Sequence, residues 1–198
     1  MSRQRTVAIL IFNDVEVLDF CGPFEVFSVT GRTRDARPFQ VLTVAEKAGP
    51  VLARNGLSVN PDCTLVGCPS PDILLIPGGM GTRRQMHNAA LIAWIREQAA
   101  SAELVLSVCT GALLLAKAGL LDGLGATTHH GALGLLTEVA PRTTVDRQKR
   151  FVDNGRVITS AGISAGIDMA LYVVARLLGE AEAWETARYM EYDWRPGE

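Results

Sequence analysis

Hydrophobic residues in this chain fall into short, nearly unbroken runs, separated by stretches in which they recur at helical spacing. VAILIF (7–12), FQVLTVA (39–45), DILLIPGG (72–79) and ELVLSVC (103–109) are apolar almost throughout and bounded by Gly, Pro, Asn or Asp. That is the pattern of strands covered on both faces. Between them, GPFEVFSVTG (22–31), NAALIAWIREQAASA (88–102) and TGALLLAKAGLLDG (110–123) carry apolar residues three and four apart and predict helices. Two more helical patterns follow, ISAGIDMALYVVARLLG (163–179) and the more polar AEAWETARYMEYDW (181–194). Strand alternating with helix predicts an α/β, flavodoxin-like three-layer sandwich: a mainly parallel sheet with helices on both faces. In such sheets the ligand crevice lies outside the carboxyl ends of the strands. VLARNGLSVNP (51–61), with Asn55-Gly56, and TTVDRQKRFVDNGRVITS (143–160), with Asp153-Asn154-Gly155, read as small β-hairpin insertions.

Composition narrows the class without changing the architecture. With 198 residues, 48% of them hydrophobic, the chain can fill one sizeable core, and residues 1–198 read as a single domain without repeat or linker. Nineteen basic and 21 acidic residues, spread without a block of either sign, advertise neither nucleic acid nor a membrane surface. The apolar run after the basic N-terminus meets Asn13 and Asp14 and has no small-residue cleavage site, so it reads as a first strand rather than a leader. No apolar stretch is long enough to span a bilayer, and a soluble protein is expected. Four cysteines without dense disulfide spacing fit a reducing cytoplasm, and three histidines give no basis for a metal site.

Chemistry concentrates at Cys109. It stands where a central strand ends and a helix begins, and Thr110-Gly111 allows a sharp turn there. A helix N-terminus favours negative charge and lowers a cysteine pKa, so the expectation is an exposed, ionised thiol. The alternative is the common fate of cysteine, a buried inert side chain. Cys63 and Cys68 lie too far apart for a Cys-x-x-Cys pair and read as structural, and Cys21 as a small apolar filler. Asp19 reads either as a helix cap before GPFEVF or as a partner of a thiol. Gly79 and Gly81, in PGGMG, read as a turn after a strand or as exposed amides facing a substrate. His87 fits a solvated helix start.

VEVLDFCGPFEVF, DILLIPGGMG, SVCTGALLLAKAGLLDG, ATTHHGALGLL and ITSAGISAGIDMALYVV, in this order over nearly the whole chain, resemble the ThiJ/PfpI superfamily, which is related to class I glutamine amidotransferases. Within it the resemblance is to isocyanide hydratases and to the amidotransferase-like domains of some AraC-type regulators. The resemblance implies that Cys109 is a nucleophile and that Asp19 is an acidic residue touching its sulfur, kept protonated so that it can supply a proton. It implies an oxyanion-hole-like pocket formed by Gly79 with the Thr110 amide, Gly81 close by, and His129 as a base or orienting group. His130 stands where isocyanide hydratases carry tryptophan, which alters the pocket. Thr110 replaces the histidine that follows the cysteine in PfpI-type peptidases and weakens that reading. The implied activity is hydration of an isocyanide to an N-substituted formamide, with no cofactor, on a small-molecule substrate, in a homodimer. The alternatives are a small-molecule or oxidative-stress sensor, or an amidase or glyoxalase-type activity. No helix-turn-helix segment follows, which argues against a complete transcription regulator.

Overall fold

The computed structural model describes residues 3–32 and 37–196. In chain order the elements are β1 (Arg5–Leu10), α1 (Val17–Val29), β2 (Phe39–Ala45), β3 (Val51–Leu52), β4 (Ser58–Val59), β5 (Cys63–Thr64), β6 (Ile73–Ile76), α2 (Thr82–Gln85), α3 (Ala89–Ser101), β7 (Leu104–Val108), α4 (Gly111–Lys117), β8 (Gly125–Ala126), α5 (Leu133–Val139), β9 (Thr144–Val145), β10 (Phe151–Asp153), β11 (Val157–Ser160), α6 (Ala165–Leu178) and α7 (Glu180–Tyr189). Seven strands form one sheet in the order β10-β11-β7-β6-β1-β2-β5, parallel except where β10 meets β11. Helices α1, α6 and α7 pack against one another, and α4 packs with α2, α3 and α5. Val7 to Ile11 and Ile73 to Ile76 have no exposed surface, as strands covered on both faces require. No helix among the described residues is long and apolar enough to cross a membrane.

Two expectations need correction. Helix α1 begins at Val17 rather than at residue 22, so Asp19 lies inside its first turn and is no cap. The capping position is Glu16, whose side chain makes no capping bond. The 143–160 segment is not an insertion: its Asn154-Gly155 turn joins β10 to β11, and β11 is a parallel neighbour of β7 in the main sheet. The 51–61 segment is a separate β3–β4 hairpin, as its pattern suggested. Phe27 of α1 faces the core. It is fully buried, edge-on to Phe39 at 5.1 Å between ring centroids, which leaves Leu18 as the exposed apolar residue of that helix.

Close packing at the β7–α4 junction positions everything that follows. A Cβ on Gly111 would lie 2.0 Å from the Ile76 carbonyl oxygen, so the helix starts against the end of β6 only because residue 111 has no side chain. Backbone cannot yield as a flexible side chain does. Gly111→Ala is therefore expected to cost about 3 kcal/mol, measured as a drop in the urea midpoint at unchanged slope. A variant as stable as the parent would mean that this approach is not needed for folding.

Candidate active site

Cys109 follows β7 and turns the chain into α4 with φ +57°, a left-handed conformation that non-glycine residues adopt at a cost of about 1–3 kcal/mol. The surroundings hold it there. Its N–H reaches the carbonyls of Ser160 (3.2 Å) and Ala161 (3.1 Å) at the end of β11, and its own carbonyl accepts from the Thr128 hydroxyl at 2.7 Å. The strained turn aims the sulfur at the carboxyl edge of the sheet, into a cavity of about 250 Å³ shared with Glu16, Arg54, Met80, Arg83, His129 and Ile163.

Asp19 meets this sulfur from α1. It is fully buried, and its two oxygens each accept a backbone amide: Oδ2 from Gly78 at the end of β6 and Oδ1 from Ile163 just before α6, both at 3.1 Å. A third interaction joins it to the Cys109 thiol. One carboxyl thus ties α1, β6, α6 and β7 together at a single point.

Burial pushes the Asp19 carboxyl up to about 7, against the pull of the bonds from Cys109, Gly78 and Ile163. The direction agrees with the expected protonated acid, but desolvation is the main cause, not the neighbouring thiol. Cys109 departs from expectation. It is only 5% exposed, and burial, followed by the charge of Asp19, pushes its thiol up to about 12, while the Thr110 N–H and hydroxyl pull it down. The first turn of a seven-residue helix does not outweigh the loss of water. Between these two ionisations the pair holds one proton, shared across the S–H···O contact.

The remaining candidates separate. Thr110 is buried beside the sulfur, and its hydroxyl accepts the Gly79 N–H at 2.9 Å and lies 3.1 Å from the Thr82 hydroxyl. The Gly79 amide, expected to face a substrate together with that of Thr110, is therefore engaged within the protein. Gly81 donates its N–H to the Asp14 carbonyl at 3.2 Å and opens α2. The Nδ1 of His129 accepts the Gly131 N–H at 3.1 Å, so in the neutral ring Nε2 carries the proton and His129 is set to donate rather than to act as base. Burial, helped by His130 and Arg83, lowers its pKa and favours that neutral form. His130 stacks on His129 at 4.1 Å between centroids but lines an adjoining cleft, not the thiol cavity.

Arg54, Arg83, Met80 and Ile163 were not foreseen in the cavity. Arg83 donates to the Gly79 carbonyl at 3.4 Å, and Arg54 lies 3.9 Å from Glu16. Ile163 is held at φ +58°. The glycines on either side of Ile163-Ser164, in AGISAG, were the available signal that the backbone there is constrained. A sulfur and an acid in contact at a strained turn can deliver a nucleophile and a proton to the same small substrate.

The DJ-1/PfpI family model matches residues 5–176. The chain is 37% identical over 186 residues to an isonitrile hydratase of Pseudomonas putida, covering 94% of this chain and 78% of that protein. It is also 34% identical over 171 residues to the HTH-type transcriptional regulator CdhR of Pseudomonas aeruginosa, covering 86% of this chain but only half of the regulator. Among solved structures, a ThiJ/PfpI family protein from Pseudomonas syringae superposes with a TM-score of 0.88 at 30% identity, over 99% of this chain and 78% of that one.

Proposed function

The chain belongs to the DJ-1/PfpI family, and from that premise we propose that it is a cysteine-dependent hydratase converting isonitriles to N-substituted formamides. The observation that carries this reading is the buried Asp19 carboxyl in contact with Cys109, within a chain 37% identical to an isonitrile hydratase.

The chemistry balances on that pair. The sulfur bonds to the terminal carbon of R–NC and the pair's proton goes to the same carbon, giving the thioimidate Cys–S–CH=N–R and leaving Asp19 ionised. Water then adds across the C=N bond, its oxygen to carbon and its protons to nitrogen and Asp19. Expulsion of the sulfur, as the oxyanion left on that carbon becomes the carbonyl, yields R–NH–CHO, and Asp19 returns its proton to the departing sulfur. Thr110 steadies sulfur charge through its N–H, and His129 Nε2–H is available to the substrate nitrogen. No step calls for a cofactor.

A sensing role draws support from the similarity to CdhR. Oxidative sensing, however, favours an exposed, readily ionised thiol, and Cys109 is neither. The test is to incubate the purified protein with an isonitrile, an aliphatic amide and a 2-oxoaldehyde. Formamide should appear from the isonitrile in preference to product from the other two. Faster amide or oxoaldehyde conversion would overturn the assignment.

A further inference from the structure

A second cleft of about 340 Å³ adjoins the thiol cavity, and His129 and Ile163 line both. Its far wall is the loop 146–150, DRQKR, which contributes Arg147, Lys149 and Arg150. Asp146 shapes this loop by accepting the N–H groups of Gln148 (2.9 Å) and Lys149 (3.0 Å) on Oδ1. Arg150 is matched by Asp168, to which its Nε donates at 2.8 Å. No carboxylate stands among the described residues lining the cleft; Asp146, at the start of the loop, feels the charge of Lys149 from outside it, and Arg147 is the cation the cleft leaves most open. Its floor includes Ser164 and Ala165, where the 14-residue helix α6 begins and its dipole is positive. Two cationic side chains, a helix N-terminus and the His129–His130 stack thus border one concave space beside the reacting sulfur. Low-dielectric walls concentrate such a field.

We propose that this cleft is an anion subsite: it holds a carboxylate on the substrate's substituent while the isonitrile carbon lies at Cys109, so that the preferred substrates are anionic isonitriles. The reaction class rests on the hydratase reading above, but the anion site stands on the cleft's own residues. Arg147 and Lys149 act in it as specificity residues, remote from the reacting carbon, and their contribution belongs in KM rather than kcat.

The experiment compares 4-isocyanobenzoate with its neutral methyl ester on the wild type and on the R147Q/K149Q double variant, and titrates the acid's product, 4-formamidobenzoate, by calorimetry. The wild type is expected to favour the acid over the ester by about tenfold in kcat/KM, mainly through KM, and the double variant to bring that ratio near one. Product binding should weaken by about tenfold in the double variant and stay at the wild-type value in K117Q, which removes a cation from the exposed end of α4. Equal use of acid and ester by the wild type, or undiminished product binding in the double variant, would overturn the subsite. The calorimetric arm needs no turnover. Lost product binding without hydration of either isonitrile therefore supports the subsite while sinking the hydratase reading, and turnover of both isonitriles without preference does the reverse.

Discussion

Cys109→Ala is expected to lower isonitrile turnover by at least about 10³-fold while leaving a folded protein. The addition needs an atom that bonds to the substrate carbon and later leaves, and no other group that contacts Asp19 at this site can do both. Cys109→Ser should be nearly as poor, because a hydroxyl is a weaker nucleophile and harder to ionise than a thiol, and burial raises that barrier further. The fold should persist because the elbow is held by backbone bonds from residue 109 to Ser160 and Ala161 and by the Thr128 hydroxyl, none of which involves the sulfur. Circular dichroism and a melting midpoint within a few degrees of the parent separate lost chemistry from lost structure. Alanine-variant turnover within tenfold of the parent would remove the sulfur from the mechanism.

The place of that sulfur is legible in the sequence. Continuous apolar runs mark strands buried on both faces, and the one cysteine between such a run and a helical pattern falls at the carboxyl edge of the sheet, where the fold concentrates chemistry. The state of the sulfur was not legible. A helix N-terminus is visible in sequence, whereas desolvation depends on what other segments pack over the residue. Asp19, 90 positions away, supplies both cover and charge. The start of α1 is hidden for a local reason: Glu16 makes no side-chain cap, while Asp19 and Gly22-Pro23 together mimic one.

The same distinction runs through the rest of the site. The close approach of Gly111 to Ile76 joins residues 35 positions apart, and the Thr110 hydroxyl reaches the Gly79 amide over 31. Pattern in one segment cannot state which amides another segment will occupy. The loop 146–150 is the converse case. Its charges are plain in a segment whose pattern shows only a hairpin, and they gain meaning only where the loop faces the start of α6 beside His129.

Asp19→Asn tests the coupling of acid and thiol most directly. Turnover should fall by about 10²–10⁴-fold, the range of general acid–base catalysis, since an amide does not release a proton to the substrate. The pH profile carries a separate signature. Below about pH 7 the wild-type pair holds two protons, and above it the single proton that the addition consumes, so kcat/KM should climb toward a plateau as pH passes about 7. In the asparagine variant that limb should vanish and activity should follow the ionisation of Cys109 alone. Stability gives a third readout. The Asp19 carboxyl is raised from 3.8 to about 7, so between those values the folded protein keeps a proton that the unfolded chain has released. Its stabilising contribution is fully present below pH 3.8 and lost as pH rises through about 7, a change on the order of 4 kcal/mol. Asparagine has no such proton, but its NH₂ cannot accept, so one of the amide bonds from Gly78 and Ile163 is lost at every pH, at about 1–3 kcal/mol. Urea titrations should therefore find the variant less stable than the parent near pH 5, gaining on it as pH rises to about 7, with the difference level above that. A difference that stays constant from pH 5 to pH 9 would show that Asp19 does not hold the shared proton.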